Sequence, residues 1–111
     1  GVEAGCQKVF EISPEIAPKV WLRVGRALQE RGAYEEALAF YQALSQQFPN
    51  LSSIYENIGD IYCFYLKDNA KARDAYQATL DALPKDETLS PAQRASRQGY
   101  LVEDIESLTT S

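Results

Sequence analysis

Apolar side chains recur along this chain at intervals of three and four residues, and prolines interrupt the pattern at regular distances. Pro14, Pro49 and Pro84 stand 35 residues apart. Each closes an apolar run: Val9, Phe10 and Ile12, then Leu44 and Phe48, then Leu80 and Leu83. Proline lacks the amide a helix interior needs and clashes with the preceding turn. Three stops at one interval therefore predict a structural period. Between the stops the chain divides again. After Pro18, which suits a first helical turn, Val20, Val24, Ala27 and Leu28, widened by Trp21, predict one helix that breaks at Gly32. Tyr34, Ala37, Leu38, Tyr41, Leu44 and Phe48 predict a second, because their spacing places them on one side of a helix.

The next unit repeats the plan. Ser53 and Glu56 have the spacing of a capping box. Ile54, Ile58, Ile61, Tyr62 and Tyr65 form a stripe behind them, and Asp68 or Asn69 suits the cap of a following helix that turns Ala72, Ala75, Tyr76, Leu80 and Leu83 inward. Connections this short predict antiparallel neighbours. Ser90-Pro91-Ala92-Gln93 predicts one more helix start, carried on by Ala92, Ala95, Val102, Ile105 and Leu108. Gly99 predicts a bend or a division there, and Thr109 to Ser111 a frayed end.

Gly25 and Gly59 fall in helix interiors, where glycine costs about 0.5–1 kcal/mol relative to alanine. A close helix crossing would offset that, with Ala37 and Ala72 as the small residues opposite and Trp21, Tyr41, Tyr62 and Tyr76 filling the wider space around it. Buried tyrosine hydroxyls then need bonded partners. Phe40 and Phe64 are expected to face away from the local core.

These residues resemble the tetratricopeptide repeat family, a 34-residue helix–turn–helix unit. The first unit reads Trp21, Val24, Gly25, Leu28, then Gly32 through Ala37, Tyr41, Leu44 and Pro49; the second reads Tyr55, Ile58, Gly59, Tyr62, Ala72, Tyr76, Thr79 and Pro84. Val24 and Leu44 depart conservatively from the pattern. From Tyr62 to Ala72 the second unit is one residue too long, so its turn must differ. The likeness implies an all-α fold of antiparallel helix-turn-helix repeats in a short right-handed α-solenoid. Residues 1–16 would be the closing helix of a partial preceding repeat, 18–50 and 52–86 two repeats, and 90–108 a capping helix. Trp21, Gly25, Ala37, Tyr41, Pro49, Gly59, Tyr62, Ala72, Tyr76 and Pro84 would be structural. A non-repetitive helical bundle is the alternative.

The resemblance also implies a concave groove along the first helix of each pair. By register it would expose Lys19, Leu22, Arg26 and Gln29, then Ser53, Glu56, Asn57, Asp60 and Cys63, to a peptide or helical segment of a partner protein. Some relatives clamp a terminal carboxylate with basic and amide side chains. Arg26 and Asn57 match two such positions, but Leu22 replaces the first lysine and Pro91 and Ala95 stand where further cations are needed. Glu56 and Asp60 would repel a carboxylate. An amphipathic or basic segment is the better guest. The competing reading is a structural or self-association segment of a larger repeat protein, a homo-oligomer joined through its repeat ends.

Composition narrows the remaining classes. Eleven Lys and Arg against sixteen Asp and Glu leave a net charge of −5, which disfavours nucleic acid and anionic lipid as partners. No apolar run is long enough for a membrane span. The compartment stays open, with a slight lean to the cytoplasm. The 111 residues contain no histidine, which removes a histidine base, a histidine metal ligand and Ser-His-Asp or Cys-His nucleophile activation. Cys6 and Cys63 lack companion ligands for zinc and read as reduced apolar side chains. Glu56 and Asp60 share a helix face but read as a solvated pair. No catalytic, cofactor or metal site is expected, and an enzyme ranks far behind a binding scaffold.

Overall fold

The computed structural model describes residues 12–13 and 15–110. The expectations for Val2 to Phe10, for Cys6 and for the first proline stop, Pro14, lie outside the described residues. The described residues form five α-helices: α1 (Pro18–Glu30), α2 (Tyr34–Gln47), α3 (Ser52–Asp60), α4 (Asn69–Ala82) and α5 (Pro91–Thr110). A π-helical turn, Ile61–Tyr65, extends α3, and a 3₁₀ turn, Leu83–Lys85, extends α4. Each helix packs on its successor, an all-α helical repeat fold. The described residues contain no strand.

One core gathers Ala37, Leu38, Phe40, Tyr41 and Leu44 of α2 with Leu51, Ile54 and Ile61 around α3, and Trp21, Leu22 and Leu28 of α1 close it. The second joins Ala72, Tyr76 and Leu83 to Leu101 of α5. Helix α2 lies between α1 and α3 and so buries more than one stripe. That corrects the outward placement of Phe40, which is buried with its ring 6.0 Å from that of Trp21. Phe64 does face out, at 59% exposure.

Val20 and Val24 do not sit in the core as their spacing predicted; they are 46% and 41% exposed, and Ala27 is exposed too. Their counterparts 34 residues on are Ile54, Ile58 and Ile61, of which Ile54 and Ile61 are fully buried in the cluster that α2 and α3 share. Among the described residues, no helix stands beside α1 as α2 stands beside α3.

The extra residue of the second unit is absorbed in the π-helical turn. Leu66 N donates to Ile61 O at 3.0 Å and Asp68 N to Tyr62 O at 2.8 Å, wider loops than an α-helix closes. Lys67 takes a positive φ of 56° to leave the turn. Asp68 then caps α4 by accepting from the Lys71 amide. The Ser53–Glu56 capping box does not form: α3 starts at Ser52 without a side-chain cap from its own N-cap residue, and both side chains turn to α5 instead. The box at α5 does form. Ser90 N donates to Gln93 Oε1 at 2.8 Å, and Gln93 N donates to Ser90 Oγ at 3.2 Å.

Helix α5 is continuous through Gly99 and reaches Thr110, so neither the predicted interruption nor the predicted fraying at Thr109 and Thr110 occurs. Gly99 is exposed with open space beside it, so it costs the helix only its intrinsic propensity. The inward stripe is Arg94, Arg97, Leu101, Ile105 and Leu108, while Ala92, Ala95 and Val102 face out. Leu101, fully buried, is the anchor that the pattern missed.

One buried carboxylate closes the second pair. Asp86 is 1% exposed. It accepts from the amide and hydroxyl of Ser52, 34 residues earlier, and from the amide and hydroxyl of Thr88. It thus caps α3 from the far end of the pair, where the unpaired amides of a helix start favour an anion. Burial opposes its charge, but these bonds outweigh it and hold its pKa below the usual carboxylate range. Arg94 of α5 adds two bonds to the Asp86 carbonyl.

Candidate partner-binding face

Two tyrosines organise the polar side chains along α1 and α3. Gly25 and Gly59 are buried, and each is covered by a ring from the following second helix. A Cβ on Gly25 would lie 2.7 Å from the Tyr41 hydroxyl with ring carbons closer still; one on Gly59 would lie 2.6 Å from Tyr76 Cε1. The contact that requires glycine is therefore a tyrosine ring, not the facing Ala37 or Ala72. Those alanines are buried in the cores beside the rings.

Each ring carries its hydroxyl to the first helices. Tyr41 donates to Gln29 Oε1 on α1 and accepts from Asn57 Nδ2 on α3 at 3.4 Å. Burial pushes its pKa up to about 12, against the pull of Arg26 and Asn57. Tyr76 donates to Asp60 Oδ1 at 2.6 Å, and its own pKa is raised by burial, by that bond and by the adjacent carboxylate charge. Asp60 is raised by burial and by Glu56 and Asp104 nearby, with the tyrosine bond opposing.

The nine residues assigned to the groove therefore differ in availability. Lys19 and Arg26 are exposed on α1. Leu22 is half-buried and packs against the first core. Gln29, Asn57 and Asp60 are half-buried and held by tyrosine hydroxyls. Ser53 and Glu56 are engaged by α5: Arg97 donates to Ser53 Oγ at 3.2 Å and to Glu56 Oε1 at 3.3 Å, and Tyr100 donates to Glu56 Oε2 at 3.0 Å. The solvated Glu56–Asp60 pair is thus replaced by two acids with separate partners. Cys63 is a half-buried free thiol packed against the second core.

Residues 19–51, the first helix pair, match a family model described as a tetratricopeptide repeat. The chain therefore carries a tetratricopeptide repeat. No curated protein matches it. The matched repeat contains the Gly25–Tyr41 contact and the Arg26 and Gln29 side chains beside it. Such repeats are protein-interaction modules. Among the described residues, no helix is long and apolar enough to cross a membrane, and no group of three His, Cys, Asp or Glu residues has the arrangement of a metal site.

Sequence reasoning missed the contribution of α5 to this face. Arg97 and Tyr100 reach α3 from more than 40 residues away, and no local pattern encodes that distance.

Proposed function

We propose that the chain is a non-catalytic scaffold that receives a peptide or helical segment of a partner protein along the face formed by α1 and α3. The observation that carries this reading is the Tyr41 hydroxyl, which ties Gln29 of one pair to Asn57 of the next. Polar groups held in this way need little further ordering when a flexible segment docks, and a lower ordering cost raises affinity. The exposed Lys19 and Arg26 beside them supply charge at the rim. The test is affinity capture with the wild-type chain and with an Arg26→Ala/Asn57→Ala variant whose circular dichroism and melting show it folded. Loss of the captured partner supports the face; undiminished capture by the folded variant removes it.

A second reading, self-association, has its own observation. Ile16, Val20 and Val24 form an exposed apolar row on and just before α1, the side on which α3 receives a neighbouring helix. Light scattering across a concentration series, repeated with Val20→Glu/Val24→Glu, decides it. A concentration-dependent mass that the variant abolishes supports end-to-end assembly; a constant monomer mass rules it out.

A further inference from the structure

The π-helical turn does more than absorb a residue. With the residue that follows it, it presents Phe64, Tyr65 and Leu66 as three consecutive exposed apolar side chains at 59%, 51% and 41% exposure. Tyr65 is stacked on Tyr34, with ring centroids 4.4 Å apart, and Phe64 is left at the mouth of a cavity. That cavity, about 220 Å³, lies between α3, α4 and α5 and is lined by Asp60, Cys63, Phe64, Tyr76, Asp104 and Leu108. Sites for drug-sized molecules run to roughly 300–1,000 Å³, so its size suits one long side chain rather than a cofactor.

Its charge specifies which kind. Among the described residues no cation pairs with Asp60 or Asp104: Arg97 is committed to Glu56, and Lys71 lies over the Tyr62 ring at 5.5 Å. The Asp104 carboxyl is raised by burial and by Glu103, and Asp60 is raised by burial and its acidic neighbours. Burial is the main cause of both shifts and the acidic neighbours add to it, while the two carboxyls line one cavity with no cation of the described residues paired to either. An incoming cation offsets their charge, and the exposed ring beside it can pack an apolar neighbour or the stem of a long basic chain.

We infer that Phe64 and the cavity behind it form a docking subsite for a basic amphipathic peptide segment, seating one Lys or Arg between Asp60 and Asp104 and one apolar side chain on the Phe64 ring. This rests on the scaffold reading and names the chemistry of its guest. The probe is a fluorescent 18-residue peptide of Lys and Leu with one basic and one apolar helical face, followed by anisotropy in 0.15 M salt. A Glu and Leu peptide of the same pattern is the control. The wild-type chain should bind the Lys peptide and not the Glu peptide. Asp104→Asn and Phe64→Ala, both at exposed positions, should each weaken binding at least about fivefold. Asp74→Asn, the same charge change at an exposed site on the outer side of α4, should leave it unchanged. The subsite is overturned by no binding of the Lys peptide, by equal binding of both peptides, by equal weakening in Asp74→Asn, or by indifference to both subsite variants. A captured partner that depends on Arg26 and Asn57 but not on Phe64 or Asp104 would remove the subsite and leave the scaffold reading standing.

Discussion

Asp86→Ala should be among the most damaging single changes in this chain, although the residue belongs to no helix and touches no proposed guest. The side chain accepts four hydrogen bonds, two of them from a fully buried serine. Thr88 is exposed and regains water when the carboxylate is removed. The Ser52 amide and hydroxyl do not. Each buried donor left unpaired costs about 1–3 kcal/mol, and the α3 terminus loses a cap worth roughly 1 kcal/mol that partly counts the same bonds. A net loss of about 3 kcal/mol follows. In a domain near 100 residues, 1 kcal/mol moves the melting midpoint by about 4 °C or more, so Asp86→Ala should melt about 12 °C lower. Asp86→Asn keeps an acceptor but no charge and should fall between the two. The assay is thermal and urea unfolding followed at 222 nm. The pH dependence fixes the cause. A carboxylate whose folded pKa is depressed contributes stability above its unfolded value near 4, and that contribution disappears as pH falls through the folded value. The gap between wild type and Asp86→Asn should therefore be full at pH 7, shrink below about pH 4 and continue to close at lower pH. A midpoint for Asp86→Ala within about 2 °C of wild type, or a gap independent of pH, would refute the capping argument.

Other substitutions probe the packing and the acidic pocket. Gly25→Ala and Gly59→Ala should each destabilise by about 1–3 kcal/mol through overlap with a tyrosine ring, while Gly99→Ala, with nothing nearby, should stabilise by about 0.5–1 kcal/mol; urea midpoints separate the signs. Leu101→Ala should cost about 2–5 kcal/mol by emptying the second core, and an increased protease sensitivity of α5 would show where the loss falls. Asp60→Asn keeps an acceptor for Tyr76 and removes a charge that burial and neighbouring acids oppose. A raised carboxyl pKa destabilises the fold above its folded value, so this variant should melt as high as wild type or higher at pH 7. The advantage should vanish as pH falls below about 4, and a lower melting point at pH 7 would contradict that sign.

Much of this fold was legible because it is locally encoded. Apolar spacing located the helices, and Ser90 with Gln93 announced the start of α5. Two unexplained helical glycines pointed to close contacts, though the contact proved to be a tyrosine ring. The surplus residue between Tyr62 and Ala72 showed that the turn would differ, but not that a π-helical turn would absorb it. What could not be read depends on distant partners. Phe40 is buried because α1 brings Trp21 over it. Val20 and Val24 have the right spacing for a core, but exposure depends on whether a helix stands beside them. Glu56 looked solvated until α5 supplied Arg97 and Tyr100. Asp86 gave no warning of its role, since its main partner lies a whole repeat away. In each case periodicity gave the face of the element and tertiary neighbours decided what covered it.

The ring-over-glycine contact makes positions 25 and 41, and likewise 59 and 76, a single inheritable volume. A mutation that enlarges the small member can persist only if the large member shrinks, and a smaller large member also gives up the hydroxyl that anchors Gln29 and Asn57, or Asp60. Drift at these sites is thereby funnelled through paired exchanges that disturb the polar face of α1 and α3 as well as the interior. Engineering that recombines helix pairs from different relatives should move each glycine together with its own tyrosine.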